Sequence, residues 1–600
     1  MSQSETSPPQ DQSPGAAAPR ERFELGLALH RQGKLGEAAH IYAEILERQP
    51  NHFDALHLLG VAAVEAGRTE RGIELIRSAI GLNDQVAEAH SNLGNALQVL
   101  KRHQEAVACY DKAIALKPDF PDVHLNRGVA LTDLRRLDEA VASFGRAIAL
   151  DPDNPAAYSN RGVALRELGR AGEALVDFDR ALALNPRYAK AYSNRGNALL
   201  DLRRFDEAVA SCDAAIALDP RYADAHNNRG IALQYLKRPA DAVASFDRAI
   251  VSAPDFPVAY NNRGNALQDL KRHAEAIASF EKAISLKPDY ADAYWNESLC
   301  YLVMGKFEQG WPLYEWRKRR AGSKALRSYR QPLWSGTEAI SGKTVFVYWE
   351  QGFGDTIQFC RYAVLLAGLG AKVVLSVQDP LKRLLAQFAP TIRIIGPDER
   401  PVAFDFHIPL LSLPLALRTT LATIPARPHY LRADERARLE WAARLPPATK
   451  PRIGVAWSGN TALRNDYSRS IDFSAYAPLL TDKFEWHCLQ KEIRSDELSE
   501  ISESGRIKFH GERLSDFGDT AALLDLMDLV VTVDTSVAHL AGAMGKPVWI
   551  LLPVNPDWRW LLDRKDSPWY PSARLFRQRE SGNWADVIAR VAGELRSLYA

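Results

Sequence analysis

Four short loops hold the residues whose types and spacing could do chemistry. The first is Gly352-Phe353-Gly354-Asp355, which lies between an apolar segment and a segment of helical spacing. Glycines at such a turn let the backbone approach a ligand, and Asp355 can cap the helix or point into a cleft. The pattern is short and common, so an aspartate N-cap alone would also explain it.

The second loop, residues 534–539, follows an apolar strand pattern and opens a helix. The free N–H groups and the positive end of the helix dipole make an anion site after Asp534. Thr535 and Ser536 add hydroxyl donors, and His539 falls one turn into the helix, on a face that could meet the same ligand. A diphosphate fits this arrangement; the alternative is a well-capped helix with a core histidine.

The third loop runs from Ser458 to Ser470 and contains Asn460, Arg464 and Arg469. Arginine guanidinium groups bind phosphate oxygens well, so this loop is a second candidate for a phosphate contact. The alternative is a solvated surface loop.

The fourth loop, residues 555–571, has three tryptophans close to Asp557 and Arg559. The rings could stack on a base or a sugar, or they could hold two halves of the protein together. The second interpretation is slightly favoured.

The elements that must position these loops are apolar strands that alternate with helices. The predicted strands are residues 344–349, 372–377, 392–395, 404–410, 452–457, 484–490, 507–510, 529–533 and 547–552. This alternation predicts parallel, doubly wound sheets, whose ligands bind at the carboxyl ends of the strands. Residues 426–452 are polar and contain prolines, which indicates a connector. We therefore expect two Rossmann-like halves of unequal size with a cleft between them.

The N-terminal half of the chain repeats every 34 residues. The repeated glycines are Gly26, Gly60, Gly94, Gly128, Gly162, Gly196, Gly230 and Gly264. Alanine, aromatic and proline ladders run in phase with them, which predicts two closely packed helices in each unit. The ladders resemble the tetratricopeptide repeat (TPR) over roughly residues 19–318. The last unit lacks the glycine, alanine and proline and is expected to cap the array.

An asparagine recurs two residues before the glycine position. The members are Asn92, Asn126, Asn160, Asn194, Asn228, Asn262 and Asn296. In a TPR unit this position tends to face the concave groove, and an amide can pair with a peptide backbone. The ladder resembles that of the TPR domain of O-GlcNAc transferase. The alternative is that these side chains bond within or between repeats.

Composition excludes several classes of protein. Lys and Arg number 75 and Asp and Glu 74, so the formal net charge of +1 argues against a nucleic-acid-binding surface. Five scattered cysteines favour a reducing compartment over a disulfide framework. No apolar run is long enough for a membrane span, and residues 1–20 resemble a disordered tail rather than a secretory signal. These features predict a cytoplasmic protein.

Taken together, the loops resemble glycosyltransferase family 9, the ADP-heptose:lipopolysaccharide heptosyltransferases of two-Rossmann GT-B fold. The residues that carry the resemblance are Gly354-Asp355 and the segment DTSVAHLAGAMGKPVWILL. The family usually has glycine where this chain has Ser536, and the match, roughly residues 340–580, is shorter than a typical member. The whole arrangement, including FEQGWPLYEWR and DSPWYP, looks like a bacterial class of TPR proteins with such a C-terminal region.

The resemblance implies roles for these residues. Asp355 would be the general base that deprotonates the acceptor hydroxyl. The donor site would include the residues Gly352, Gly354, Ser458, Asn460, Arg464, Arg469, Lys491, Asp534, Thr535, Ser536 and His539. Among them, Arg464, Arg469 or Lys491 would neutralise the leaving nucleotide. Transfer would invert the anomeric centre and need no metal and no cofactor, the nucleotide-diphosphate sugar being the donor substrate.

The predicted fold class is multidomain: an all-α TPR superhelix followed by an α/β GT-B-like pair of Rossmann-like domains. The predicted divisions are a disordered tail (1–20), a TPR array of about nine units (21–318), a linker (319–340), a first half (341–430) and a second half with a C-terminal helix (431–600).

The predicted function is a nucleotide-sugar-dependent glycosyltransferase whose TPR groove recruits an acceptor, a protein or peptide segment. One alternative is a TPR scaffold with a non-catalytic glycosyltransferase-like domain. The other is transfer to a glycolipid or polysaccharide. The donor base, the sugar, the acceptor and the oligomeric state stay open from sequence.

Overall fold

The computed structural model describes residues 19–322, 327–459, 469–494 and 497–599. The chain forms two compact units, Met1–Pro254 and Asp255–Ala600. In its described part, residues 19–254, the first unit contains helices and no strands. The second contains four further repeat helices and two parallel β-sheets.

Helices of the first unit come in pairs, each pair being one repeat. Their bounds are Pro19–Arg31, Leu35–Arg48, Phe53–Glu65, Thr69–Leu82, Ala87–Val99, His103–Leu116, Pro121–Asp133, Leu137–Leu150, Pro155–Glu167, Ala171–Leu184, Ala189–Asp201, Phe205–Leu218, Ala223–Tyr235 and Pro239–Ser252. Their cores are formed by buried alanines together with larger buried side chains, among them Tyr42, Ile76, Tyr110, Phe144, Phe178, Cys212 and Phe246.

The repeated glycine makes room for the aromatic side chain of its own repeat. A Cβ atom on Gly128 would lie 2.5 Å from Phe144 Cε1, and one on Gly94 would lie 2.5 Å from Tyr110 Cε1. Such distances are shorter than van der Waals contact, so the two helices can pack this closely only with glycine at this slot. The glycine ladder therefore reflects a contact, within each repeat, between residues 16 apart.

The turn inside each pair also repeats, and its residue has a left-handed backbone. In the first unit this slot holds Gly33, Gly67 and Gly169, and also Lys101, Arg135, Arg203 and Lys237 with φ between 58° and 61°. The left-handed residue ends the first helix of the pair. Residues other than glycine are strained in the left-handed conformation, so these four residues lower the stability of the fold slightly but are tolerated.

The second unit begins with the helices Pro257–Asp269, His273–Leu286, Ala291–Val303 and Phe307–Tyr314. Among the described residues, ten strands follow: β1 (Thr344–Tyr348), β2 (Lys372–Ser376), β3 (Ile392–Ile395), β4 (Phe406–Pro409), β5 (Arg452–Ala456), β6 (Glu485–Cys488), β7 (Ile507–Phe509), β8 (Leu529–Val533), β9 (Val548–Leu552) and β10 (Ala573–Arg577). The first sheet has the order β3-β2-β1-β4 and the second β10-β9-β8-β5-β6-β7. Every pairing is parallel.

Helices connect these parallel strands. Their bounds are Phe353–Phe359, Arg361–Gly368, Asp379–Leu385, Leu413–Ala416, Glu435–Arg444, Phe473–Tyr476, Leu498–Ser504, Phe517–Asp525, Ser536–Ala543 and Trp584–Leu598. Parallel strands need such crossovers, and their carboxyl ends share one edge of each sheet. The predicted fold class is confirmed: TPR repeats precede an α/β region with two parallel sheets, consistent with a GT-B-like pair.

An aromatic cluster within the second unit joins the last repeat helix to the α/β region. Trp311 contacts Trp558 edge to face, with 5.3 Å between ring centroids. Its indole N–H donates to the Thr419 carbonyl at 2.8 Å. Phe307 and Tyr314 pack against Trp558 from the same helix. The last repeat is therefore part of the same hydrophobic core as the sheets.

Glu297 occupies a slot that arginine fills in the five preceding repeats. Arg127, for example, donates to Asp111 at 2.6 Å, across 16 residues. In the second unit the residue 16 before Glu297 is Glu281, which carries the same charge. Burial, and then Glu281, raise the pKa of Glu297 to about 7. Other repeats thus pair opposite charges at these two slots, whereas the last one places two acidic side chains there.

We expect Glu297→Gln to stabilise the second unit at pH 8 and to leave it unchanged at pH 4. In the wild type the native carboxyl holds a proton between pH 4.5 and 7 that the unfolded chain releases, so stability falls as pH rises through this range, by about 3 kcal/mol at most. Tryptophan fluorescence during urea unfolding measures the second unit alone, because all 13 tryptophans lie between Trp295 and Trp584. The exposed Glu308→Gln is the matched control. An unchanged pH dependence in Glu297→Gln would contradict this account.

Candidate active site

Four loops of the second unit meet at the carboxyl ends of β1, β5, β8 and β9. The helix Phe353–Phe359 from the first half packs against the helix Ser536–Ala543 from the second. Gly354 makes this possible, since a Cβ atom on it would lie 2.7 Å from His539 Cδ2. Gly354 therefore serves the contact between the two halves.

Asp355 lies at this contact and its carboxylate is engaged on both oxygens. Oδ2 accepts from the Gly352 backbone N–H at 2.8 Å, and Oδ1 forms an ion pair with the Arg559 guanidinium. Burial raises the pKa of Asp355, and Arg559 opposes that rise. The sequence predicted an aspartate at this loop that either caps the helix or faces the cleft; the structure shows a capping aspartate that is also ion-paired.

Arg559 is the centre of the group. Its Nη1 donates to Asp557 Oδ1 at 2.8 Å and its Nε to Gln358 Oε1 at 2.6 Å. The guanidinium also lies 4.4 Å from the centroid of the Trp558 ring. Burial alone would lower the pKa of Arg559, but Asp557 and Asp355 outweigh it and the pKa is raised. Arg559 stays charged and joins the first half to the second.

Asp534 and His539 lie beside this group. Nε2 of His539 is 3.9 Å from Asp534 Oδ1, and its Nδ1 is 2.9 Å from the Tyr570 hydroxyl. Burial, and then Asp557, raise the pKa of Asp534 to about 6. Burial lowers the pKa of His539 well below its usual value, so the imidazole is uncharged at neutral pH. Trp560 stacks on the imidazole at 5.4 Å.

The helix that follows Asp534 has a regular cap. The Thr535 hydroxyl accepts from the Val537 N–H at 3.3 Å, and Ser536 is the first helical residue. The Thr535 hydroxyl is thus used as a cap, whereas the partly exposed Ser536 lies at the positive end of the helix.

The loop after β5 is anchored by a residue that the sequence did not single out. Oε1 of Gln490 accepts from the backbone N–H groups of Trp457 (2.7 Å) and Ser458 (3.2 Å). Its amide donates to the Ser458 hydroxyl at 2.9 Å. Further along the loop, Arg469 donates to the Asp534 carbonyl at 3.1 Å, which brings one predicted arginine to the site.

Other predicted residues do not join this group. Asn460 and Arg464 lie outside the described residues. Lys491 donates to the Ser515 carbonyl at 3.2 Å, and no hydrogen bond among the described residues joins it to Asp534.

The tryptophans of the fourth loop are structural. Trp558 and Trp560 are buried, and Trp569 packs against Phe359 and the Arg361 guanidinium. Of the two interpretations of these rings, holding the two halves together is the one that the structure supports. Arg361 was missed, because nothing in its helical segment distinguishes it from a surface arginine.

Most of the asparagine ladder bonds between repeats. In the first unit, the amide nitrogen of Asn92 is 2.9 Å from His57 Nε2, that of Asn126 donates to Asn95 (3.0 Å) and that of Asn228 to Ser193 (3.2 Å). These amide groups are used inside the array, which supports the alternative that they are structural.

Two ladder members of the first unit differ from these. Asn160 and Asn194 are half-buried. The Asn194 amide nitrogen is buried and has no hydrogen-bond partner among the described residues, so it is a donor that a bound segment could satisfy.

The second unit holds the other two asparagines. Asn296 donates to Asn261 at 3.0 Å, again from one repeat to the preceding one. Asn262 accepts from Asn261 at 3.4 Å.

Within the described parts of the chain, no cluster of three or more His, Cys, Asp or Glu side chains is arranged to hold a metal ion. Nor does any described helix have the length and apolar character that crossing a membrane requires.

Comparison with known families agrees with both parts of the fold. Models of the tetratricopeptide repeat match residues 23–87, 87–120, 130–169, 160–223, 193–257 and 257–290. The model of glycosyltransferase family 9 (heptosyltransferase) matches residues 514–569. The chain thus contains TPR repeats in its N-terminal part and a C-terminal segment similar to family 9 glycosyltransferases. That match includes Asp534, His539 and Arg559 but not Asp355.

Among individual proteins, the chain is 28% identical to protein FlbA of Caulobacter vibrioides over 330 residues, or 50% of this chain. The chain spans about half of that relative, since the matched region covers 54% of the relative's length.

Solved structures resemble parts of the chain. YrrB, a TPR protein with an unusual peptide-binding site, is 28% identical over 31% of this chain and 95% of its own, with a TM-score of 0.27. A thermophilic TPR protein of Thermus thermophilus is 26% identical over 30% of this chain and 100% of its own, with a TM-score of 0.28.

Proposed function

We propose that the protein is an inverting, metal-independent glycosyltransferase that uses a nucleotide-diphosphate sugar and acts in the cytoplasm. The observation that carries this proposal is the group around Arg559, in which Asp355 from one half meets Asp534 and His539 from the other. This group combines a base with a site for an anion, within a region of family 9 similarity. Its parts lie at the carboxyl ends of parallel strands, where such folds bind ligands.

The donor diphosphate would bind at the start of the helix Ser536–Ala543. The positive end of the helix dipole, the Ser536 hydroxyl and the Arg469 guanidinium favour an anion there. If the Tyr570 hydroxyl donates to Nδ1 of His539, then Nε2 carries the hydrogen and can donate to a phosphate oxygen. Because the His539 imidazole is uncharged, it adds no further positive charge next to the Arg559 guanidinium.

Asp355 would be the base. Each carboxylate oxygen has two lone pairs, so its bonds to Gly352 and Arg559 leave acceptor capacity for a hydroxyl. Arg559 keeps the carboxylate ionised and fixed, while burial makes it more basic. The acceptor oxygen would attack the anomeric carbon, its proton would pass to Asp355, and the nucleoside diphosphate would leave with the electrons of the broken bond.

The acceptor would be a protein segment held by the repeats, since TPR arrays bind proteins through their grooves. In this chain the candidate contacts are Asn160 and Asn194, because most other ladder members bond between repeats.

A thermal-shift panel of UDP, ADP, GDP and CMP, and of their common sugars, tests the donor site. We expect one nucleotide to stabilise the second unit, by about 2.7 kcal/mol at 100 times its Kd. Asp534→Ala should abolish the shift, while Asp482→Ala, an exposed aspartate of the same half, should keep it. No shift with any nucleotide would favour a non-catalytic scaffold instead, and an equal shift in Asp534→Ala would show that the nucleotide binds away from Asp534.

A further inference from the structure

One bond between neighbouring repeats is open. Ladder amides of several repeats bond to the side chain 35 residues earlier, as Asn228 does when it donates to Ser193 at 3.2 Å. Asn194 and Ser159 are the same residue types at the same repeat positions, also 35 residues apart. Yet the Asn194 amide nitrogen and the Ser159 hydroxyl are both buried without a hydrogen-bond partner among the described residues, and Ser159 is only 1% exposed. Because buried polar groups are rarely left unpaired, this junction offers a donor and an acceptor to a ligand.

A depression of about 530 Å³ lies between the same two repeats. Its walls are residues 169–173, which form the turn inside one pair and the start of its second helix, and the C-terminal ends of the helices Pro155–Glu167 and Ala189–Asp201. None of the residues proposed for the donor or for the base lines it.

Small residues open this depression. Gly169, Ala171 and Gly172 stand where the preceding repeat has arginine, leucine and aspartate, and where the next repeat has arginine, phenylalanine and aspartate. A Cβ atom on Gly169 or on Gly172 would meet no other part of the fold within 4 Å. The space that side chains fill in the two neighbouring repeats is therefore free in this one.

The charges around the depression are already paired. Three acidic side chains there each bind an arginine, in the pairs Arg166–Asp201 (3.0 Å), Arg170–Glu173 (2.7 Å) and Arg135–Glu167 (2.6 Å). Leu202, in contrast, leaves 37% of its surface exposed at the wall. A charged side chain would find no free counter-charge in this wall, whereas an aromatic ring can pack on Leu202 and stack on the guanidinium groups.

The open junction and the depression are close enough for one bound segment to reach both. Ser159 and Asn194 each precede a wall residue, Arg166 and Asp201, by seven positions in the same helix. Seven positions are two helical turns, or about 10.5 Å along the same face. An extended chain covers about 3.3–3.6 Å per residue, so about three residues span this distance.

We propose that the repeats 155–188 and 189–222 bind an extended peptide segment through one peptide group and, about three residues away, one aromatic side chain. The Asn194 amide would donate to a backbone carbonyl and the Ser159 hydroxyl would accept from a backbone N–H, bonds that any sequence can make. The aromatic side chain would fill the depression and set the register of the segment. That this segment belongs to the acceptor rests on the proposed function, whereas the binding itself does not.

Dodecapeptides selected from a random phage-displayed library on the full chain provide the probe, and fluorescence anisotropy of the best peptide measures its binding. We expect the enriched peptides to share an aromatic residue, whose replacement by alanine weakens binding at least about 10-fold. The triple variant Gly169→Arg/Ala171→Leu/Gly172→Asp, which has the turn of the preceding repeat, should weaken binding as much because it fills the depression. Ala240→Asp, a matched change at the Gly172 slot two repeats later, should leave it unchanged.

The two unpaired polar groups are tested with the same peptide. Asn194→Ala and Ser159→Ala should each weaken its binding about 3- to 10-fold, the loss expected for one neutral hydrogen bond. Asn92→Ala is the control from the same ladder, because the Asn92 amide nitrogen already lies 2.9 Å from His57 Nε2, and it should change the binding little.

The proposal is overturned if no peptide is enriched, if the enriched peptides need no aromatic residue, or if the triple variant or both alanine variants bind like the wild type. Should the triple variant lose its helical circular dichroism, the exposed single change Gly172→Asp decides the matter alone. Nucleotide shifts are measured on the same samples. Peptide binding without any nucleotide shift would refute the proposed function and leave the site intact, and the reverse would refute the site only.

Discussion

Replacing Arg559 with glutamine is expected to lower the free energy of unfolding of the second unit by about 3–5 kcal/mol, because the largely buried Asp355 carboxylate loses the buried guanidinium with which it pairs. Asp355 and Asp557 both pair with this guanidinium. The loss is measured by urea unfolding followed by tryptophan fluorescence.

The double variant Arg559→Gln/Asp355→Asn separates charge from packing. Removing the carboxylate together with its partner should restore a large part of the loss, since no unpaired charge then remains at Asp355. Arg564→Gln is the matched control, because Arg564 pairs with Asp566 on the exposed surface and should cost less than about 1 kcal/mol. Equal losses in the single and the double variant would show that Arg559 acts by packing alone.

Trp558→Ala should lower the free energy of unfolding of the second unit nearly as much, by about 3–5 kcal/mol. The ring packs against Trp311, Tyr314 and Trp569 and under the Arg559 guanidinium, so its removal leaves a cavity between the last repeat helix and the α/β region. Unfolding of the full chain followed by fluorescence gives the value.

Two variants control for the loss of a tryptophan. Trp558→Phe keeps an aromatic ring and should lower the free energy of unfolding much less. Trp584→Ala removes a half-buried tryptophan at the start of the C-terminal helix and should also cost less. If Trp558→Ala lowers the free energy of unfolding no more than Trp584→Ala does, the aromatic cluster does not couple the repeats to the sheets.

Periodicity alone predicted much of this fold. The 34-residue ladders identified the paired helices, and nine of the ten strands coincide with apolar segments. The tenth strand, β10, was missed because Arg574 and Arg577 interrupt its apolar character. As an edge strand it pairs with a full strand, β9, on one side and makes an isolated bridge from Arg574 to Asp566 on the other, so it tolerates polar side chains that a central strand excludes.

The site was less predictable than the fold. Sequence pointed to the ends of β1 and β8, since parallel strands bring those ends to one edge. It did not reveal that Arg559 bridges Asp355 and Asp557, because these three residues come from two distant loops. The asparagine ladder shows the same limit: the same residue at the same repeat position bonds to a histidine, a serine or an asparagine, depending on the preceding repeat.

The central claim, that Asp355 is the base of a sugar transfer, is tested most directly by hydrolytic release of nucleoside diphosphate from the nucleotide sugar that binds best, with water taking the place of the acceptor hydroxyl. The account predicts release by the wild type, and a rate at least about 100-fold lower in Asp355→Asn with nucleotide binding unchanged. Arg559 would keep Asp557 and Gln358 as partners in that variant. Equal rates in the two proteins, at equal nucleotide binding, would contradict the account.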